Sequence, residues 1–172
     1  MSDAEIAFTL SRRLDAPRDL VFKVLSEAEH LARWWGPAGW EWVSGDLDFR
    51  RGGRFHYCMR IPGAPPMWGL FLYEDIAALE RIVFINGFSN AAGELTRHPM
   101  APTWPLQVRN VLTLEQADAG ATVLTLRGAP HDASLIERQT FAAGFDSLRQ
   151  GFGGTFDQLA VYLGQLAAQS AG

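Results

Sequence analysis

The chain has 172 residues and a formal net charge of −4 with both signs scattered along it, so it offers no basic stripe for phosphates and nucleic-acid binding is not expected. One cysteine, Cys58, excludes an internal disulfide and a cysteine-based zinc cluster and fits a reducing compartment. Aromatic residues make up 12%, with six Trp and eleven Phe, and that much apolar ring surface must line a core, a pocket or an interface.

At this length the expectation is one domain over residues 1–172, its core spanning about 5–166 and burying about 70% of the unfolded surface. The start, Met1-Ser2-Asp3-Ala4-Glu5, lacks the basic and apolar segments of a secretion signal. No apolar run approaches the ~20 residues that cross a bilayer. A cytoplasmic protein without membrane insertion is expected.

Ile6, Phe8 and Leu10 alternate with Ala7, Thr9 and Ser11, which predicts a strand with one buried face. After Asp15-Ala16-Pro17, a proline suited to a first helical turn, Leu20, Val21, Val24 and Leu25 recur at helical spacing. Ser26-Glu27-Ala28-Glu29 has the form of a capping box and predicts a second short helix through Leu31 to Trp34 or Trp35, stopped by Gly36-Pro37. Strands are predicted over 40–49 and, after Gly52-Gly53, over 54–60. In the latter, Phe55, Tyr57 and Met59 share an apolar face, and Arg54, His56, Cys58 and Arg60 form a wet one.

Strands are also expected over 67–74 and 80–88, with both faces partly apolar. Residues 88–104, with two prolines, read as a long structured loop of the functional or mobile kind. Two more strands, 106–115 and 121–127, join through Asp118-Ala119-Gly120. Asn110 falls among the buried residues of the first and needs a partner.

The longest unbroken period lies at the carboxyl end. Phe141, Phe145, Leu148, Phe152, Phe156, Leu159, Leu163 and Leu166 mark one helical face, and Ser134-Leu135-Ile136-Glu137 is a capping box, so one helix is predicted over 134–166. It contains Gly144, Gly151, Gly153, Gly154 and Gly164, each costing about 1 kcal/mol against alanine. Gly144 and Gly151 flank the stripe and leave room for a neighbouring backbone or for a ligand. Gly153-Gly154 suggests a bend.

The order β, α, α, about six strands and a long helix implies an α+β fold: a curved antiparallel sheet on that helix, with two short helices after the first strand. Ala16-Pro17, Trp34-Trp35-Gly36-Pro37, Asp48-Phe49-Arg50-Arg51-Gly52-Gly53-Arg54-Phe55, Glu80-Arg81-Ile82-Val83-Phe84, Trp104-Pro105 and Gly151-Phe152-Gly153-Gly154-Thr155 resemble the START-like (SRPBCC) superfamily. Within it they are most similar to proteins resembling the C-terminal domain of the activator of the ninety-kilodalton heat-shock protein's ATPase. The resemblance implies a helix-grip fold with an apolar cavity between sheet and helix. Its members bind hydrophobic molecules, catalyse cyclisation or serve as co-chaperone modules, and fold alone does not choose among these.

No catalytic motif is present: there is no Gly-x-Ser-x-Gly elbow, no phosphate loop and no readable carboxylate pair. The four histidines, His30, His56, His98 and His131, show no metal-ligand spacing, so neither metal nor cofactor is expected. His56 reads as solvated, and His98 as a loop residue within reach of a pocket mouth. The candidate ligand-binding set is Phe55, Tyr57, Met59, Trp68, His98, Trp104, Asn110, Phe141, Phe145 and Phe152, with Arg109 the weakest polar anchor. Trp34 and Trp35 read as packing residues. The first expectation is a small hydrophobic or amphipathic ligand held in the cavity. A cyclase or dehydratase in the same cavity, or a co-chaperone-like module with a protein partner or second copy, are the alternatives.

Overall fold

In the computed structural model, residues 6–171 are described; the polar start, residues 1–5, lies outside them. The chain runs β1 (Phe8–Leu14), α1 (Arg18–Ser26), α2 (Ala28–Trp34), β2 (Glu41–Leu47), β3 (Arg54–Arg60), β4 (Met67–Ala77), β5 (Arg81–Ser89), β6 (Leu95–Thr96), β7 (Val108–Gln116), β8 (Thr122–Pro130), α3 (Leu135–Ala143) and α4 (Phe145–Ala171). The strands form one antiparallel sheet in the order β1-β8-β7-β5-β4-β3-β2, with β6 added on β5. Because β1 pairs with β8, the helices α1 and α2 carry the chain from one edge of the sheet to the other before β2 begins. The helix-grip expectation holds: α4 lies on the inner face.

Residues opposite one another across a ladder share a face, so the register propagates the inner surface from strand to strand. Leu10 faces Leu126, which faces Leu112 and then Ile82; Phe84 faces Tyr73, and Phe55 faces Phe71. Against this surface α4 sets Phe156, Leu159, Tyr162 and Leu163, and α1 and α2 add Val21, Val24, Leu25, Leu31 and Trp34. A second, smaller cluster of Ile6, Phe8, Val108 and Phe141 closes one end, with Trp104, Phe145 and Leu148 packed on it.

Three sequence expectations are corrected. Ser26 does not cap α2: it is the last residue of α1, and its hydroxyl donates to the carbonyls of Phe22 and Lys23 at 2.8 and 3.2 Å. Glu27 takes the cap position without a side-chain bond. The single helix over 134–166 is two helices, broken at Gly144 (φ −94°, ψ 8°), and the second runs on to Ala171. The Trp104 ring occupies the place a side chain would take at Gly144, 2.8 Å from an added Cβ. Its capping box forms as expected, Ser134 and Glu137 satisfying each other's backbone N–H groups.

The third correction concerns the wet face of β3. His56 and Cys58 are buried there, paired across the ladder with Leu70 and Trp68 of β4. The segment after β5 folds back over this outer face. Asn90 accepts a bond from His56, Arg54 reaches the space above Gly93, and Leu95 and Leu106 crowd Gly87. The long loop over 88–104 is therefore partly ordered structure, containing β6 and covering a face that alternation marks as solvent-exposed.

Candidate functional site

The inner aromatic cluster centres on Trp35. Gly36-Pro37 stops α2, so Trp35 is its C-cap residue, outside the last turn and turned inward rather than held on a helix face. Its indole lies edge-on to Trp34, Tyr57 and Phe71 at ring-centroid distances of 5.7, 6.0 and 5.1 Å, and tilted against Phe152 at 6.5 Å. Such edge-to-face geometry is the favoured one for aromatic quadrupoles. The backbone on either side is fixed: Trp35 N–H donates to Leu31, and the Gln158 side chain donates to the carbonyl of Gly36.

Beneath Trp35 lies a void of about 20 Å³, enough for about one water molecule. Its walls come from α1 and α2 (Leu25, Leu31, Trp34, with Trp35), from the sheet (Phe71, Tyr73, Ile82, Phe84, Leu112, Leu126) and from α4 (Phe152, Phe156). Trp35 and Phe152 are the half-buried members of this wall, and the rest are buried. They form its mouth. At about 20 Å³ the void is short.

Polar groups near this cluster are few and uncharged. Tyr57 lies across Gly69, where any Cβ would overlap its ring. Burial pushes its phenol up to about 12, and a hydrogen bond from the Trp35 side chain acts in the other direction. Burial likewise raises Tyr73. Asn110, the buried asparagine on β7, has found its partner: its amide donates to Asn86 Oδ1 at 2.9 Å and to the Val108 carbonyl at 3.1 Å.

Tyr57 and Phe152 of the candidate set therefore pack on Trp35, and Phe55 stacks on Tyr57 at 4.9 Å; of the three, Phe152 lines the void. Met59 faces inward under Gly36, where an added Cβ would overlap its thioether. Trp104, Phe141 and Phe145 belong to the second cluster, with Trp104 5.3 Å from Phe141 and Phe141 5.7 Å from Phe145. Trp68 pairs with Cys58 in the register, which places it on the outer face, stacked on His56 at 4.7 Å. His56 Nε2 donates to Asn90, since a carbonyl only accepts. His98 stands edge-on to Phe88 at 4.6 Å and accepts a bond from Met100 N–H. Arg109 lies on the outer face and pairs with Glu74 at 2.9 Å. Trp35, read from the sequence as a packing residue, does pack on the sheet through Tyr57 and Phe71 and on α4 through Phe152.

Elsewhere, Asp75 is held low by hydrogen bonds from Arg81 and then Arg51, and Glu137 by the Ser134 backbone and then Arg97. Neither lines the void. Glu27, Glu29 and His30 bring one ligand atom each within 4.8 Å of one another, with His30 Nδ1 2.6 Å from the Tyr162 hydroxyl. They are the described residues close enough together that they could share a cation. A wider open groove of about 420 Å³ lies between Arg18, Glu80, Arg81 and Glu115, and both charge signs line it. No helix among the described residues is long and apolar enough to cross a membrane.

The family model described as activator of Hsp90 ATPase homolog 1-like protein matches residues 15–164. A crystal structure of a protein from Nitrosomonas europaea is similar at 26% identity with a TM-score of 0.73, over 97% of this chain and 99% of its own. A solution structure of an Arthrobacter aurescens protein is similar at 21% identity with a TM-score of 0.77, over 96% and 90%. The AHSA1 protein from Silicibacter pomeroyi is similar at 18% identity with a TM-score of 0.70, over 95% and 99%. No curated protein matches the chain.

Proposed function

The chain belongs to the activator of Hsp90 ATPase homolog 1-like protein family, and from that premise we propose that it holds a small hydrophobic molecule between the sheet and α4, admitted at Trp35 and Phe152. The observation that carries this reading is the void beneath Trp35, walled by apolar and aromatic side chains from sheet and helices together and closed by two half-buried rings. No charged side chain lines it.

The closed form has room for about one water, so binding requires opening. Turning a half-buried indole outward exposes roughly 100 Å² of apolar surface and costs about 2.5 kcal/mol, which leaves an open state near 1% of molecules. That fraction weakens apparent affinity about a hundred-fold relative to a preformed pocket, a penalty that burial of the ligand's own apolar surface offsets. The cyclase reading lacks support from a shifted carboxylate or histidine at the void, because Asp75 and Glu137 lie elsewhere and the buried tyrosines stay neutral.

The test is titration of the protein with N-phenylnaphthylamine, followed by its emission, and with 1-decanol by calorimetry. Saturable binding of either at one per chain is expected. Absence of saturable binding by both to the folded protein overturns the reading. A second reading, a protein-binding face, rests on Leu135 and Ile136, which stand side by side on the first turn of α3 at 58% and 57% exposure.

A further inference from the structure

We propose that the ligand is an uncharged, planar aromatic molecule of about indole size, and that it occupies the slot now filled by the Trp35 indole, with Trp35 as a displaceable plug. This rests on the binding reading above and names its ligand class. The Trp35 slot is already an aromatic cage. Trp34, Tyr57 and Phe71 present edges or faces to the indole at centroid distances of 5.7, 6.0 and 5.1 Å, and Phe152 closes the fourth side. A flat ring entering the same place meets the same quadrupoles in the same geometry.

Shape excludes the other obvious ligand class. The free space beside Trp35 is about 20 Å³, and apart from Trp35 and Phe152 every residue that lines it is buried. An extended acyl chain finds no channel there, whereas a compact ring needs only the volume that the departing indole vacates plus this margin. Charge excludes ions: the described walls carry no ionised group, so an anion or cation would be stripped of water without a partner.

The plug is built to move by side-chain rotation alone. Its backbone N–H is bonded to Leu31 and the next carbonyl to Gln158, so the main chain stays fixed while the indole turns. Phe152, the other half-buried ring at the mouth, sits between Gly151, Gly153 and Gly154, around which no atom lies within 4 Å of an added Cβ.

The experiment compares three probes at neutral pH by calorimetry: 2-naphthol, 2-naphthoate and 1-decanol. In the wild-type protein 2-naphthol is expected to bind at least about ten-fold more tightly than 2-naphthoate and 1-decanol. Trp35→Ala is expected to tighten 2-naphthol about ten-fold or more by removing the competitor for the slot. In case Trp35→Ala does not fold, the wild-type protein gives an independent readout: of the six tryptophan indole N–H resonances, that of Trp35 is expected to shift to a solvent-exposed position on 2-naphthol binding. If 1-decanol or 2-naphthoate binds as well as 2-naphthol, or the Trp35 resonance stays in place at saturation, the inference fails while the cavity reading stands. If none of the three binds, both fall together.

Discussion

At the scale of single residues, burial of uncharged polar groups dominates the interior, and the tyrosines report it. The chain has three, Tyr57, Tyr73 and Tyr162, and burial raises all of them above the ordinary value of 10.0. A raised phenol keeps its proton in the folded state where the unfolded chain would lose it. The stabilisation is therefore complete below pH 10.0 and declines as the pH climbs through the folded values. An alkaline titration followed by tyrosinate absorbance should show little phenolate below about pH 11, then a cooperative rise that coincides with loss of circular dichroism. A smooth, non-cooperative titration near the ordinary value would contradict the burial. Glu137 has the opposite sign: it is held below 4.5 by the Ser134 backbone and Arg97, so its contribution is present above that value and is lost as the pH falls through the folded one. Glu137→Gln should cost about 1 kcal/mol at neutral pH in a urea melt, with the gap to wild type closing below pH 4.5. A gap that persists unchanged in acid would count against the ionised capping box.

The elements show which local signals survive packing. Helical period and the Ser134 capping box are read directly from the residues, because both depend on neighbours within one turn. The break at Gly144 is not legible, since the cause, the ring of Trp104, comes from a segment forty residues earlier. The five glycines of this stretch consequently differ in role. At Gly144 a Cβ would press on Trp104, whereas Gly151, Gly153, Gly154 and Gly164 have nothing within 4 Å. Gly151→Ala should stabilise the protein by about 1 kcal/mol through helix propensity alone. Gly144→Ala should destabilise it by about 1–3 kcal/mol through overpacking. Thermal melts of the two variants check the pair, and a shift of the same sign in both would contradict the packing assigned here. Ser26 follows the same logic: Ser-x-x-Glu is a capping signal, but its hydroxyl serves the end of the preceding helix instead.

For the whole molecule, antiparallel order and the gripping helix follow from hairpin spacing and one long period, so the architecture was legible. What alternation does not carry is the second cover on the sheet. His56 and Cys58 alternate like solvent-facing residues, and only the return of the chain after β5 buries them. Trp68 goes to that outer face for the same reason of register, leaving Tyr57 and Phe152 as the part of the candidate set gathered on Trp35. Of the residues that wall the void, Phe152 alone was in the candidate set, because the others come from strands and short helices whose periodicity marks them as core and nothing more. The central claim, that the interior opens at Trp35 to take a ligand, is tested most directly by nuclear Overhauser contacts between unlabelled 2-naphthol and methyl-labelled protein. Contacts to the wall methyls of Ile82, Leu112 and Leu126 are the expected result. Contacts confined to the exposed methyls of Met100, Leu135 and Ile136 would contradict the account and place the apolar binding surface on the outside of the molecule.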